Sequence, residues 1–353
     1  MKLDAEGNVT VSQATYVVNI SSLAYGTDGT LTVFGTFNSS QAFPLTPGAP
    51  AACTSYAPLA YAMRLDSSLD ILYSGYVNGG IGLAGPGAVV TGPGYPLWPV
   101  SLFQTVPVAT PPPGSITCIQ NAASLNGVPI APGELVAVYG NQIGPSQPVG
   151  AELDAAGNVT TELAGYSVTL GGLPAPLLYA SSGQINLVTP FGMPTSGDVQ
   201  VELRQNGTVI GTYYQNVAPQ DLGLFAGNTG QRAALNQDGS INSSTNPAHP
   251  GDVVSIFATR LGAMTPQPTD GSRPSQPVAI PVVPPIVRLQ CCEAAAVYYM
   301  GNAPDQVQGF VQINFRLPQS TDSFPPGVSS LSVTLIASMP LDGSNEGTIM
   351  VQQ

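Results

Sequence analysis

The stretches "GQINLVTP" (Gly183–Pro190) and "VQINFRLP" (Val311–Pro318) read almost alike. Each carries Gln-Ile-Asn, then an apolar residue, and each stops at Pro. In an extended strand, successive side chains point to opposite faces. Ile185 and Leu187 therefore share one face, as do Ile313, Phe315 and Leu317. Gln184 and Asn186 lie on the other face, matched by Gln312 and Asn314. The apolar face is expected to enter a core. The amides are expected to bond to the backbone of a neighbouring loop and fix register, and the Pro to end the strand. A catalytic use of the repeated Gln and Asn is the rival reading. The flanking sequence decides against it.

The likeness extends outward from these strands. "IAPGELVAVYGNQIG" (Ile130–Gly144) aligns without gaps to "AHPGDVVSIFATRLG" (Ala248–Gly262). "VTLGGLPAPLLY" aligns to "VRLQCCEAAAVY", placing Tyr179 on Tyr298. Matched blocks in the same order make a tandem duplication, with extra residues ("MGNAPDQVQG") before the last block of the second copy. Strand-sized runs alternate with "GG", "NG" and "DG" turns, the signature of antiparallel hairpins. Such units suggest seven-stranded sandwiches of immunoglobulin type, without the Cys…Trp…Cys spacing of a true antibody domain. The predicted boundaries are 121–218 for the first sandwich and 219–353 for the second.

This half resembles the uncharacterised C-terminal domain family typical of Solibacter-like acidobacterial proteins. "NAASLNG", "APGELVAVYG", "LGGLPAPLLYASSGQINLVTP", "ALNQDGSIN" and "NPAHPGDVVSIFATRLG" carry the resemblance, over about 121–351. Two departures are local. "QCCEAAAVYYMG" replaces the usual Gly-Gly turn, and Arg260 stands where Gly is common. The resemblance implies secretion or surface display and no known activity.

The first part, 1–107, consists of β-branched and aromatic runs between turn signals such as "TDGT" and "LDSSLD". "VFGTFNSSQAFPLTPGA" and "YAMRLDSSLDILYSGYVNG" are similar to SBBP-type β-propeller repeats, over about 3–99. That resemblance implies four-stranded blades, and Met1 would fall inside one. Two blades do not close a propeller, so an unpaired edge is expected, to be covered by further blades, another chain or another domain. "VATPPPGSITCIQ" (108–120) is expected to be a stiff linker, because its Pro triplet forbids regular ladders. The fold class expected is all-β: partial propeller-like sheets, then two tandem immunoglobulin-like sandwiches.

Composition narrows the function. Lys and Arg total 8, Asp and Glu total 20, and the net charge is −12, so the chain lacks the basic patch that nucleic acid requires. An anionic membrane surface would repel it for the same reason. No apolar run reaches the ~18 residues needed to span a bilayer, and "MKLDAEGNVT" has no apolar leader core. A leader is expected upstream or already removed. Only 8% of residues are charged, with 40 Gly and 35 Pro, a turn-rich and charge-poor profile typical of β proteins.

The four cysteines are Cys53, Cys118 and the adjacent Cys291 and Cys292. None is in a CxxC, which argues against zinc. Cys53–Cys118 is a plausible bridge in an oxidising compartment, with free buried thiols as the alternative. Cys291–Cys292 could form a strained vicinal disulfide. The single histidine, His249, matches Ala131 of the other copy and reads as a loop residue. No G-x-S-x-G, H-E-x-x-H or phosphate-binding glycine motif occurs. Glu134 and Asp252 are equivalent and follow Pro-Gly, so they read as turn residues, as do Asp4, Asp154, Asp238 and Asp342. Calcium is the second reading for "NQDGSINSSTN" (Asn236–Asn246), which holds a single carboxylate.

The expectation is a non-catalytic, secreted or cell-surface modular protein for display, adhesion or assembly, with no cofactor. It would meet a protein partner or itself through β edges. A carbohydrate-binding or carbohydrate-cleaving surface protein is one alternative, with glycans as partners. A fibre subunit completed by strand exchange is another.

Overall fold

The computed structural model describes residues 2–3, 9–11, 19–25, 29–37, 59–76, 80–83, 88–92 and 101–104 of the first part. Beyond these it describes 113–125, 129–219, 222–225, 232–273, 278–289, 293–319, 328–336 and 346–352. The protein is all-β, with antiparallel sheets and no helix among the described residues. It divides into two compact units, Met1–Cys118 and Ile119–Gln353.

In the first unit, β1 (Lys2–Leu3) pairs with β2 (Val9–Val11). Strands β3 (Asn19–Tyr25), β4 (Leu31–Phe37), β5 (Leu59–Leu65) and β6 (Ile71–Tyr76) form a four-stranded meander. A second meander holds β7 (Gly80–Leu83), β8 (Ala88–Gly92) and β9 (Ser101–Gln104). Tyr61, Met63 and Leu65 alternate along β5 into a core with Val33 and Leu69. Burial raises the Tyr61 phenol to about 12. The "LDSSLD" segment is a turn, its Asp66 carboxylate accepting from the N–H groups of Ser68 (2.7 Å) and Asp70 (3.0 Å).

The second unit holds the duplication. In copy 1 one sheet has the order β10 (Ser115–Asn121), β11 (Leu135–Asn141), β17 (Gln184–Val188), β16 (Leu177–Ala180), β12 (Val149–Gly150). The other runs β13 (Glu162–Leu163), β14 (Tyr166–Leu170), β18 (Gly197–Gln205), β19 (Thr208–Val217), with β15 (Leu173–Pro174) also on β14. In copy 2 one sheet runs β20 (Gly223–Leu224), β22 (Val253–Thr259), β28 (Phe310–Arg316), β27 (Ala296–Asn302), with β21 (Ala234–Leu235) also on β22. A two-stranded ribbon, β23 (Met264–Thr265) with β24 (Ile280–Pro281), follows β22. The facing sheet runs β26 (Glu293–Ala294), β25 (Ile286–Leu289), β29 (Val328–Ile336), β30 (Glu346–Gln352). The strand Ser115–Asn121 begins inside the stretch expected to be linker, just past the Pro triplet, where ladder donors become available again.

Alternation builds the cores. Val136, Val138, Ile185 and Leu187 of one sheet and Val168, Leu170, Val201 and Leu203 of the other are all buried in copy 1. In copy 2 a single apolar cluster joins Val254, Ile256, Ile313 and Phe315 to Val287, Leu289, Leu331, Val333, Ile349 and Val351. Each such side chain contributes about 1.5–3 kcal/mol by leaving water. The "NG" turn is Asn206-Gly207, both at positive φ (48° and 79°) between the paired Gln205 and Thr208. That geometry matches the right-handed strand twist.

Register corrects the alignment of the copies. Tyr179 lies opposite Asn186, and Tyr299 lies opposite Asn314, so Tyr179 corresponds to Tyr299 and not to Tyr298. The extra residue is in a hairpin. Leu170 closes on Leu173, whereas Leu289 closes on Glu293. Both copies then skip one residue at the same bulge, Leu178 and Tyr298.

Candidate functional site

The repeated amides behave alike in the two copies. Gln184 Nε2 donates to Asn186 Oδ1 (2.7 Å), and Gln312 Nε2 donates to Asn314 Oδ1 (2.9 Å). The expected bond to a neighbouring loop is replaced by this pairing along the strand face, because residues two apart on a strand share a side. Ile185 and Ile313 are completely buried between them.

The turn acids are caps. The Glu134 carboxylate accepts from Ala131 N–H (2.6 Å), and Asp252 from His249 N–H (2.8 Å), at equivalent positions. Their surroundings differ. Glu134 is fully buried, while Asp252 is partly exposed, 3.5 Å from the exposed His249 imidazole. Thr189 explains part of this: its hydroxyl donates to Ala131 O (2.5 Å) and accepts from Glu134 N–H (2.8 Å), whereas copy 2 has Leu317 there.

The copies meet along a buried seam. The Thr259 hydroxyl accepts from Leu135 N–H (2.8 Å) and donates to Gly309 O (3.3 Å). The Arg260 guanidinium donates to Pro132 O. Phe191 N–H donates to Asp270 (2.8 Å), and Val159 N–H to Gly271 O (2.8 Å). Leu135, Val159 and Val188 pack with Val307, with Phe225 and Phe310 against them. A side chain at Gly309 (φ +103°) would meet Gly133 O at 2.6 Å, so the approach needs glycine. Beside Gly133, Phe191, Arg260 and Gln308 a gap of about 10 Å³ remains, room for one water at most. A shallower cleft of about 170 Å³ lies by Ala294, Ala295, Arg316 and Pro318. Next to it Arg316 Nε donates to the Tyr298 hydroxyl (2.8 Å).

The segment read second as calcium-binding closes a sheet edge. Asn242 Oδ1 accepts from Met350 N–H (2.7 Å), and its Nδ2 donates to Met350 O (2.8 Å) and Asn236 Oδ1 (2.9 Å). One amide side chain thus imitates a strand residue against β30. Arg232 N–H bonds to Thr348 O (2.9 Å), and Ala248 continues the line on Met350 O and Gln352 N–H. Asp238 is spent on its own turn. The Ser240 hydroxyl (2.6 Å) and N–H (2.9 Å) hold its carboxyl below the usual range. Asp154 is lowered likewise, chiefly by Asn158 N–H. Among the described residues no cluster of three or more His, Cys, Asp or Glu could hold a metal.

In copy 1 the equivalent strand, β19, is treated differently. Ile130 touches only its last residues, donating to Asn216 O (3.1 Å) and accepting from Ala218 N–H (2.9 Å). The Gln215 side chain also donates to Asn216 O (3.4 Å), and among the described residues nothing bonds to the backbone of Thr212 and Tyr214 beyond the β18 ladder.

Cys118 is disulfide-bonded. Cys53, Cys291, Cys292, Asp4 and Asp342 lie outside the described residues. Sequence reasoning missed Thr189, Thr259 and Asn242. Nothing in the sequence signals Asn242, since 236–247 lies before the aligned blocks.

A scan of protein-family models finds no match to the chain, and a search of curated proteins finds none either.

Proposed function

We propose that this is a non-catalytic display or assembly module acting outside the cytoplasm. The observation that carries this reading is the use made of its polar side chains. Asp66, Glu134, Asp154, Asp238 and Asp252 close turns, Thr259 and Arg260 join the copies, and Asn242 closes an edge. A side chain held in such a bond is a poor acid, base or ligand. The hydrogen bonds and apolar contacts that join the copies suit a display role. The Cys118 disulfide supports an oxidising compartment, where such bonds persist. The net charge of −12 argues against nucleic acid and anionic lipid as partners. The four-stranded meander of the first unit supports the propeller-blade reading, and the facing sheets of each copy support the immunoglobulin-like one.

A glycan-binding surface protein is the second reading, favoured by Tyr298, 61% exposed and stacked under Arg316 at 5.3 Å. Protease treatment of intact cells separates compartment from activity. Rapid cleavage of the chain on whole cells, with no turnover of glycoside, ester or peptide substrates by the purified protein, is the expected result. Protection of the chain until lysis, or turnover abolished by E134Q or D252N, would sink the proposal. Glycan binding lost in Tyr298→Ala would install the second reading instead.

A further inference from the structure

Antiparallel strands turn the backbone groups of alternate residues to alternate sides. In β19, Asn216 O and Ala218 N–H are bonded to Ile130, on the side away from β18. The alternation therefore turns the N–H and C=O groups of Tyr214 and Thr212 outward too. Among the described residues no backbone group bonds to them beyond the β18 ladder. Further back the register shifts, since Leu203 faces Gly211 but Arg204 faces Val209. Among the described residues a short open rim is left, bounded by a bulge at one end and by Ile130 at the other. Thr212 is exposed and Tyr214 is 69% exposed.

Natural sheets protect such rims with Lys, Pro or inward charge. The sequence of β19, "TVIGTYYQNV", has none of these. The duplication supplies the internal comparison: the same rim in copy 2 is closed by Arg232, Asn242 and Ala248. The equivalent residues Ile130 and Ala248 each bond to the end of the last strand, and among the described residues only copy 2 adds Arg232 and Asn242.

We propose that the open rim of β19 is a strand-addition site whose occupant is the same rim of a second copy of this chain. This rests on the assembly reading above. Two features single out that occupant. The first is symmetry. In an antiparallel two-fold pairing centred on Tyr213, Thr212 of one copy lies opposite Tyr214 of the other, and every outward donor and acceptor of both residues finds a partner. Such self-complementary two-fold contacts are the commonest way for identical chains to associate. The second is charge. Two chains of net charge −12 repel, so contact is cheapest where no charge lies on the seam. β19 carries none; on the neighbouring strand Glu202, opposite Thr212, is paired with Arg204 at 2.6 Å, and Asp198, opposite Asn216, accepts from the Asn216 amide (3.1 Å). A Thr–Tyr cross-strand pair is also a favourable one.

The seam is short, so the dimer is weak, with a Kd of roughly micromolar to millimolar. Sedimentation equilibrium on the full chain, up to about 1 mM, tests it. A monomer–dimer equilibrium is expected. Tyr214→Pro removes an outward donor from each copy, and Pro is tolerated on an edge whose N–H faces solvent. Thr212→Lys places like charges across the seam. Each should weaken the dimer at least about tenfold. The control Ile241→Lys, at another exposed apolar site, should leave it unchanged. Melting curves matching the parent chain establish that the variants fold, and Thr212→Lys carries the test if Tyr214→Pro does not. A chain monomeric throughout, a dimer indifferent to both variants, or open-ended polymers would each overturn the proposal. A monomer would leave the display reading standing, because cell-surface cleavage and substrate turnover do not depend on this seam.

Discussion

Strands β19 and β30 end their sheets at the same place in two copies of one unit. One rim has an amide side chain, Asn242, bonded as though it were backbone, with extended chain on either side of it. The other has Ile130 at its tip and exposed Thr and Tyr beyond. The seam shows a second contrast, with Glu134 buried and braced by Thr189 while its counterpart Asp252 stays partly exposed. Duplication copies the core faithfully. It does not copy what each face will meet, so differences collect at edges and at the seam.

The comparison breaks most easily in the cores. Ile185→Ala and Ile313→Ala should each cost about 2–5 kcal/mol in urea unfolding, because both side chains are fully buried in matched ladders. If one costs less than about 1 kcal/mol, the copies are not equivalent in packing. Next, Asn242→Ala should cost about 1–3 kcal/mol, since Met350 N–H loses its acceptor while Met350 O keeps Ala248 N–H. Hydrogen exchange at Met350 should then speed up. An unchanged rate would mean that Asn242 is not what closes the edge. Thr259→Val should cost about 1–2 kcal/mol by stranding Leu135 N–H at the seam, read as a lower melting temperature. A melting temperature equal to the parent's would remove Thr259 from the seam.

The smallest effect is in pH. Asp154 in copy 1 and Asp238 in copy 2 have folded pKa values below the unfolded value of 3.8. A lowered folded pKa means that the carboxylate stabilises the fold above the unfolded value. That contribution disappears as pH falls through the folded one. Stability should thus decline below about pH 4, and D154N or D238N should flatten the decline. Asp238 belongs to the segment that closes β30, so acid should raise exchange at Met350 in the parent but less in D238N. Identical profiles for parent and variant would discount these turns.

The duplication and the inward faces were legible because a buried strand leaves a period-two record and the record occurs twice. Ile185, Ile313 and the Asn206-Gly207 turn are of this kind. Register was legible only to within a residue. A hairpin that takes one more residue in copy 2 leaves the local pattern intact, so Tyr298 stood in for Tyr299. The amide partners were misassigned for another reason: sequence shows that Gln184 faces away from the core but not what stands beside it. Thr259 and Asn242 were invisible because their partners, Leu135 and Met350, lie far along the chain. A lone Thr or Asn has no spacing that announces such a bond.

Arg260 shows what the seam does to the history of the chain. It sits at φ +58°, where Gly is cheapest, and its counterpart Gln142 sits at φ +51°. Such a conformation costs a bulky residue of order 1 kcal/mol or more. Arg260 recovers some of that by reaching Pro132 in the other copy, a bond Gln142 has no symmetric neighbour to repeat. Once one repeat keeps a locally unfavourable residue for the sake of the other, the two can no longer be exchanged by recombination or deleted singly. The tandem becomes one heritable object, selected as a pair.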